Sequence, residues 1–199
     1  MAKGEIKKPK QKRSIETKKQ ILQAGFQMIT EKGYHNTDTN EIAKAAGVST
    51  GIVYRYFPDK KAILMELIEN FFGRLEKLDY LDMDILHAND LHTFIENMLE
   101  RFVALHRNYA AAHEEIEALR RSDADVGELY RRIEDTIIRE IMDELVKLGI
   151  SGDHLEEKLR LIEQLLEGYC HMVGIEGRER LDHDFMRKTV IESAIQIIS

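Results

Sequence analysis

Only two prolines occur in the chain, Pro9 and Pro58, and from Asp59 to the end glycine is the main punctuation. A backbone without proline keeps every amide donor and meets no ring clash, so long helices are permitted throughout. Apolar side chains then recur at three- and four-residue steps, which gathers them on one face of a helix. The clearest runs are Leu64, Leu67, Ile68, Phe71, Leu75 and Leu78; Phe94, Ile95, Met98, Phe102 and Leu105; and Leu129, Ile133, Ile137, Ile141 and Leu145. Another is Leu155, Leu159, Ile162, Leu166, Tyr169 and Val173. Shorter runs are Ala112, Ile116 and Leu119 after a possible cap at Asn108, and Phe185, Val190, Ala194 and Ile197 near the end. Residues 79–90 break the period and read as an aspartate-rich loop. Strand alternation and internal repeats do not emerge. The fold class is all-α, and 199 residues are enough for two small helical domains.

Helix ends are marked as well. Ser14 is expected to cap a first helix whose apolar face holds Leu22, Phe26 and Ile29, flanked by Ile21, Gly25 and Met28. Gly33 stops it. Asp38 followed by Glu41 fits a capping box opening a short helix, and Gly47 ends that helix. Ser49 is expected to cap a second short helix that runs to Phe57, because the residue before Pro58 is pushed away from the α region. Asp59 then caps a fourth. Ser122 and Asp123 separate two later helices, Gly149 and Gly152 end the longer one, and the last two span about Asp153 to Gly174 and Asp182 to Ile198.

The formal net charge of −7 conceals a segregation. Residues 1–60 carry 12 Lys and Arg against 6 Asp and Glu, whereas the remainder carries 17 against 30. A basic module able to neutralise phosphates is joined to an acidic body that avoids coating nucleic acid indiscriminately. The division expected is a flexible basic arm over 1–13, a DNA-binding domain over 14–58 and a larger helical domain over 59–199. The arm reads either as a solvated tail or as a minor-groove extension. The single cysteine, Cys170, excludes an intrachain disulfide and suits a reducing cytoplasm. No apolar run reaches the ~18 residues of a membrane span, and the basic start lacks the apolar stretch of a secretory signal.

The most informative stretch is Glu41-Ile-Ala-Lys-Ala-Ala-Gly-Val-Ser-Thr-Gly-Ile-Val-Tyr-Arg-Tyr-Phe57. Two short helices meet across a glycine turn, small Ala43 permits close approach, and Ile42, Val48 and Val53 fill the junction. This is the layout of a helix-turn-helix, roughly residues 38–57, whose second helix enters the major groove. That helix carries Ser49, Thr50 and Gly51 at its start, then Tyr54, Arg55 and Tyr56. Arginine is the side chain best suited to a guanine edge, and tyrosine can reach phosphate or a thymine methyl.

Gly33-Tyr34, Thr37, Ile42-Ala43, Ala46-Gly47-Val48-Ser49, Gly51 and Val53-Tyr54-Arg55-Tyr56-Phe57-Pro58-Asp59-Lys60 make this chain resemble TetR-family bacterial transcriptional regulators. The motif match covers about residues 14–65. The resemblance implies about nine helices: a three-helix DNA-binding domain, then a ligand-binding domain, with a homodimer formed by the last two helices. It implies DNA contacts at Thr39, Ser49, Thr50, Gly51, Tyr54, Arg55, Tyr56 and Lys60, with Thr39 and Lys60 as phosphate anchors. Asp38 stands where Ser or Thr is common, and Ile52 where a small polar residue is common. Ile52 is accordingly expected to read a thymine methyl.

The resemblance places an effector pocket among the middle helices, and the candidates on apolar faces are Phe94, Met98, Phe102, Tyr109, His113, Tyr130, Ile133, Ile137, Tyr169 and His171. Plain core packing is the competing reading of each. Tyr169, Val173, Phe185, Val190, Ala194 and Ile197 are the expected dimer face, with an intramolecular role as the alternative. No cofactor is expected. No His pair shows tight metal-ligand spacing, so no metal is expected either, although one helical face would hold His106, His113 and Glu117. No catalytic motif emerges. The function expected is a ligand-responsive repressor that binds a palindromic double-stranded operator as a homodimer and is released by a small apolar effector. The alternative is a DNA-bound interaction protein whose C-terminal domain recruits a protein partner.

Overall fold

The computed structural model describes residues 12–76, 90–147, 149–175 and 180–199. The described residues form helices α1 (Lys12–Lys32), α2 (Thr39–Ala45), α3 (Thr50–Tyr56), α4 (Lys60–Glu76), α5 (Leu91–Asn108), α6 (Ala110–Ser122), α7 (Ala124–Lys147), α8 (Leu155–Cys170) and α9 (His183–Ile198). A π-helical turn, His171–Ile175, continues α8. No strand occurs among them. Most of the basic arm, the loop expected at 79–90 apart from Asp90, Leu78, and the side chains of Phe71 and Leu75 lie outside what is described.

The chain divides into two compact units, one within Met1–Phe72 and Ala111–Leu129, the other within Gly73–Ala110 and Tyr130–Ser199. The first unit is thus built from two stretches of sequence, whereas the expected division falls at Pro58.

In the first unit, Ile21, Ala24, Ile42, Ala43, Val53, Phe57 and Ile63 form a closed apolar cluster. The inward face of α1 is Ile21, Ala24, Gly25 and Ile29, rotated from the expected Leu22–Phe26 centre. Gly25 explains the rotation: a Cβ there would lie 2.7 Å from Ile63 Cγ2, so α4 packs directly on the backbone of α1. Ser14 is not a cap, since α1 already includes Lys12. Its hydroxyl instead pairs with Tyr56 Oη at 2.8 Å.

The second unit is organised around a larger apolar cluster that draws on α5, α7, α8, the π turn and α9. Its inward residues on α8 and the turn are those of the expected stripe, Leu155, Leu159, Ile162, Leu166, Tyr169 and Val173. Asp90 and Asp182 cap α5 and α9 through Thr93 N–H and Phe185 N–H. At the end of α7, Gly149 takes a φ of +80°, and Gly149 and Ile150 N–H return to Val146 and Leu145 carbonyls, the double bond of a Schellman turn. Asn108 is the last residue of α5 rather than a cap of α6, and Tyr109 separates the two helices. His106, His113 and Glu117 therefore do not share one helical face.

The dimer face read from the sequence needs correction. Tyr169, Val173, Val190 and Ala194 are all buried within the protomer. Phe185, 66% exposed, is the member of the expected face that stays outward, and α8 adds Leu161, 61% exposed. Four-residue spacing identifies an apolar face but not what covers it.

No helix among the described residues is long and apolar enough to cross a membrane.

Candidate nucleic-acid interface

The candidate interface starts from a capping box and a turn. Asp38 accepts from Asn40 and Glu41 N–H at 2.7 and 2.9 Å, while the Glu41 carboxylate reaches back to Asp38 N–H. The expected capping box is complete, so the Asp38 carboxylate is engaged with backbone. Lys32 pairs with Glu41 at 2.5 Å, and this hydrogen bond holds the Glu41 carboxyl below the usual range. At the other end of α2, Gly47 has a φ of +67°, and Gly47 and Val48 N–H return to Lys44 and Ala43 carbonyls. That Schellman turn reverses the chain within four residues and lets Ile42 and Val53 meet in the core.

Ser49 occupies the cap position of α3 but makes no side-chain cap bond, so its expected capping role is not realised. Its side chain is exposed. Thr50 Oγ1 donates to Asn40 Oδ1 at 3.0 Å, a link between the two short helices that sequence spacing does not reveal. Along α3, Val53 is buried, while Gly51, Tyr54 and Arg55 are exposed, Tyr54 at 52%. Tyr56 is half-buried and bonded to Ser14, which joins α3 to α1. Ile52 packs partly buried against the core cluster, so the outward, groove-reading role expected of it finds no support. Thr39, the first residue of α2, is half-buried.

Lys60 is placed differently from a phosphate anchor. Its ammonium donates to the carbonyls of Tyr34, Thr37 and His35 at 2.6, 2.7 and 3.3 Å, and lies 4.4 Å from the centre of the Tyr34 ring. An ammonium has three N–H donors, and all three have acceptors in the turn between α1 and α2. In the same turn, buried Thr37 donates its hydroxyl toward Gly33 and Met28 carbonyls. Tyr34 N–H donates to the carboxylate of Glu115. Asp123, at the start of α7, accepts from Asp125 and Val126 N–H and pairs with Lys61 at 2.8 Å; Asp125 pairs with the same lysine. The Lys61 ammonium holds the Asp123 carboxyl below its ordinary range. Asp123 was legible as a helix boundary, but neither its pairing with Lys61 nor that of Glu115 with Tyr34 carries a local sequence signal, because the partners lie some 60 to 80 residues away.

Of the effector candidates, His113 belongs to the first unit and the others to the second. Phe94 and Tyr169 are buried in the main cluster, and Met98, Phe102 and Ile137 pack partly buried against it. Tyr130 and Ile133 are buried, and Tyr109, His113 and His171 are half-buried. Cys170 is fully buried, which pushes its thiol up to about 12 and keeps it protonated at neutral pH.

Residues 21–67 match the family model described as bacterial regulatory proteins, tetR family. The chain belongs to the TetR family of bacterial transcriptional regulators. A fatty acid metabolism regulator protein of Bacillus subtilis is 28% identical over 152 residues, covering 75% of this chain and 77% of that one. The fatty acid degradation regulator FadR from Bacillus halodurans shares the fold, with a TM-score of 0.69 at 22% identity over 94% of this chain and 97% of that one. Salmonella enterica GusR superposes with a TM-score of 0.72 at 23% identity, covering 96% and 99%. The all-helical TetR architecture and the helix-turn-helix of a transcription regulator are therefore those of this chain, and the family is one of regulators rather than enzymes.

Proposed function

We propose that this TetR regulator is a ligand-responsive repressor that acts as a homodimer on a palindromic operator in the cytoplasm. The observation that carries the reading is the division of α3: Val53 faces the core while Ser49, Gly51, Tyr54 and Arg55 face outward. Arg55 reads a guanine edge, Tyr54 and the Ser49 hydroxyl meet backbone phosphate or a methyl group, and Gly51 lets the DNA backbone approach closely. Thr39 and Thr50 supply hydroxyls at the starts of the two short helices. Tyr56 and Lys60 act one step back, holding α3 to α1 and fixing the turn that precedes α2.

Dimerisation uses the outward faces of α8 and α9, on which Leu161 and Phe185 are exposed. The effector is an apolar chain. Two similar proteins are named as regulators of fatty acid metabolism and degradation, and the candidate side chains are mainly aromatic and aliphatic. A fatty acyl group, free or as a thioester, fits that chemistry. It binds a conformation whose two recognition helices are wrongly spaced for the operator, and differential affinity for the two states supplies the release.

Selection of bound DNA from a random pool tests the core of this reading, and a palindrome with half-sites about one helical turn apart is the expected product. Arg55→Ala should relax preference at one operator position at a cost of about 1–3 kcal/mol. An equal loss on every sequence would refute base reading by Arg55.

A further inference from the structure

His106 is one of two polar or charged residues buried in the described chain, at 3% exposure. It stands in the last turn of α5, and its Nδ1 lies 2.8 Å from the Phe102 carbonyl oxygen. A carbonyl only accepts, so Nδ1 carries the hydrogen of this bond. In the neutral ring Nε2 is then a bare lone pair. That atom faces Glu167 Oε2 at 3.2 Å, and a carboxylate oxygen is itself a lone-pair donor. Two such atoms at this distance need a positive charge between them, either a proton or a metal ion.

The surroundings favour a metal ion. Glu167, near the end of α8, turns its other oxygen to His171 Nε2 at 3.3 Å. His171 is the first residue of the π-helical turn, a distortion that recurs at functional sites. The donor atoms of His106, Glu167 and His171 all lie within 4.8 Å of one another. Bonds of roughly 2.0–2.1 Å in a tetrahedral site put neighbouring donors about 3.3 Å apart, and His106 Nε2 and Glu167 Oε2 at 3.2 Å meet that separation. The Nδ1–H bond to a backbone carbonyl is the outer contact that orients a metal-bound imidazole and exposes Nε2 as the ligand.

Packing maintains the convergence. A Cβ at Gly174 would lie 3.0 Å from His106 Cβ and 3.6 Å from the Val103 carbonyl oxygen, so the π turn sits directly against α5. Glu167 and His171 stand four residues apart on one helical face, but His106 is 61 positions from Glu167, so spacing alone did not reveal the group.

We propose that His106, Glu167 and His171 bind one divalent transition-metal ion of the zinc class, linking α5 to α8 within the second unit. Two imidazoles and one carboxylate suit a borderline-soft ion better than calcium or magnesium, which prefer oxygen donors throughout. The inference does not depend on the operator or on the acyl effector.

The test uses the full-length, tag-free protein, stripped with a chelator and titrated with Co²⁺ and then Zn²⁺. The expected result is one Co²⁺ per chain with the intense visible absorption of a tetrahedral site, displaced by Zn²⁺. Zn²⁺ should also raise Tm by several degrees. Glu167→Gln and His171→Ala, both at half-buried positions, should keep the helical circular dichroism and each weaken Co²⁺ at least ~tenfold. Absence of the Co²⁺ band would overturn the proposal. So would wild-type affinity in both variants, which would put the ion on exposed histidines such as His154. An NMR spectrum showing a doubly protonated His106 ring unaltered by Zn²⁺ would assign the charge to a proton alone, and would overturn it too.

Discussion

In the first unit, the turn leading into the helix-turn-helix is held by polar groups that reach it from elsewhere in the sequence: the Lys60 ammonium on three carbonyls and the Glu115 carboxylate on Tyr34 N–H. In the second unit, α5, α7, α8 and α9 converge on an extensive apolar cluster. The difference follows from what each unit has to bury. Helices of seven residues cannot form stably alone and offer few apolar positions, so specific bonds to backbone supplement a small core. Helices of 16 to 24 residues present several inward turns each and close by area. Polar bonds fix geometry closely and fail singly; an apolar core loses stability gradually but tolerates small displacement.

Core truncation in the second unit tests this comparison most severely. Leu99 is almost fully buried in the large cluster, so Leu99→Ala should cost about 2–5 kcal/mol in denaturant unfolding. A loss below 1 kcal/mol would show that the cluster collapses around the gap and is not close-packed. Lys60→Met comes next. It keeps much of the side-chain length but strands three carbonyls, and should cost roughly 1–3 kcal/mol and lower Tm along with operator affinity. Arg55→Ala, by contrast, should leave stability within about 0.5 kcal/mol, because the side chain is exposed. If Lys60→Met weakened DNA binding with Tm unchanged, Lys60 would be a phosphate contact after all.

The smallest expected effect is that of Asp123→Asn. Asparagine keeps the helix cap but loses the charge paired with Lys61, which should lower Tm by about 2 °C at pH 7. The Asp123 carboxyl is held below its ordinary range in the folded state, and Lys61 is the first cause. Its contribution is therefore fully present above the unfolded value of about 3.9 and disappears as pH falls through the lower folded value. Melting curves of the two proteins should begin to converge as the pH falls below about 4. A gap that stays undiminished as the pH is lowered further would mean that the aspartate acts through packing rather than charge.

Helix identity was largely legible in the sequence, because burial in long helices follows a three- and four-residue period and α8 keeps that period without exception. The capping box at Asp38 and the turn at Gly47 were legible because each is closed within a few residues. Three kinds of feature were not. The rotation of α1 depends on Ile63 of α4 pressing against Gly25, a contact that α1's own pattern does not contain. The commitment of Lys60 depends on where the α1–α2 turn places its carbonyls. The faces of α8 and α9 were correctly marked as apolar, but only the packed chain reveals that Tyr169, Val190 and Ala194 are used up internally. On α3 the alternation of Val53 with Tyr54 and Arg55 sufficed to mark the outward side. Ile52, hydrophobic and only half-buried, did not declare its side.

The discontinuous make-up of the first unit bears on how the protein is born. The compact unit that carries the helix-turn-helix includes Ala111–Leu129 as well as the N-terminal stretch. Glu115, Asp123 and Asp125 are not yet synthesised when Phe72 leaves the ribosome. At roughly 5–20 residues per second, the missing strip follows about 3–11 s later. During that interval the two short helices exist without the carboxylates that secure the turn before them and the start of α4. A nascent regulator therefore cannot present a finished reading head until Leu129 has been made, and the 38 residues of Gly73–Ala110 must be synthesised first.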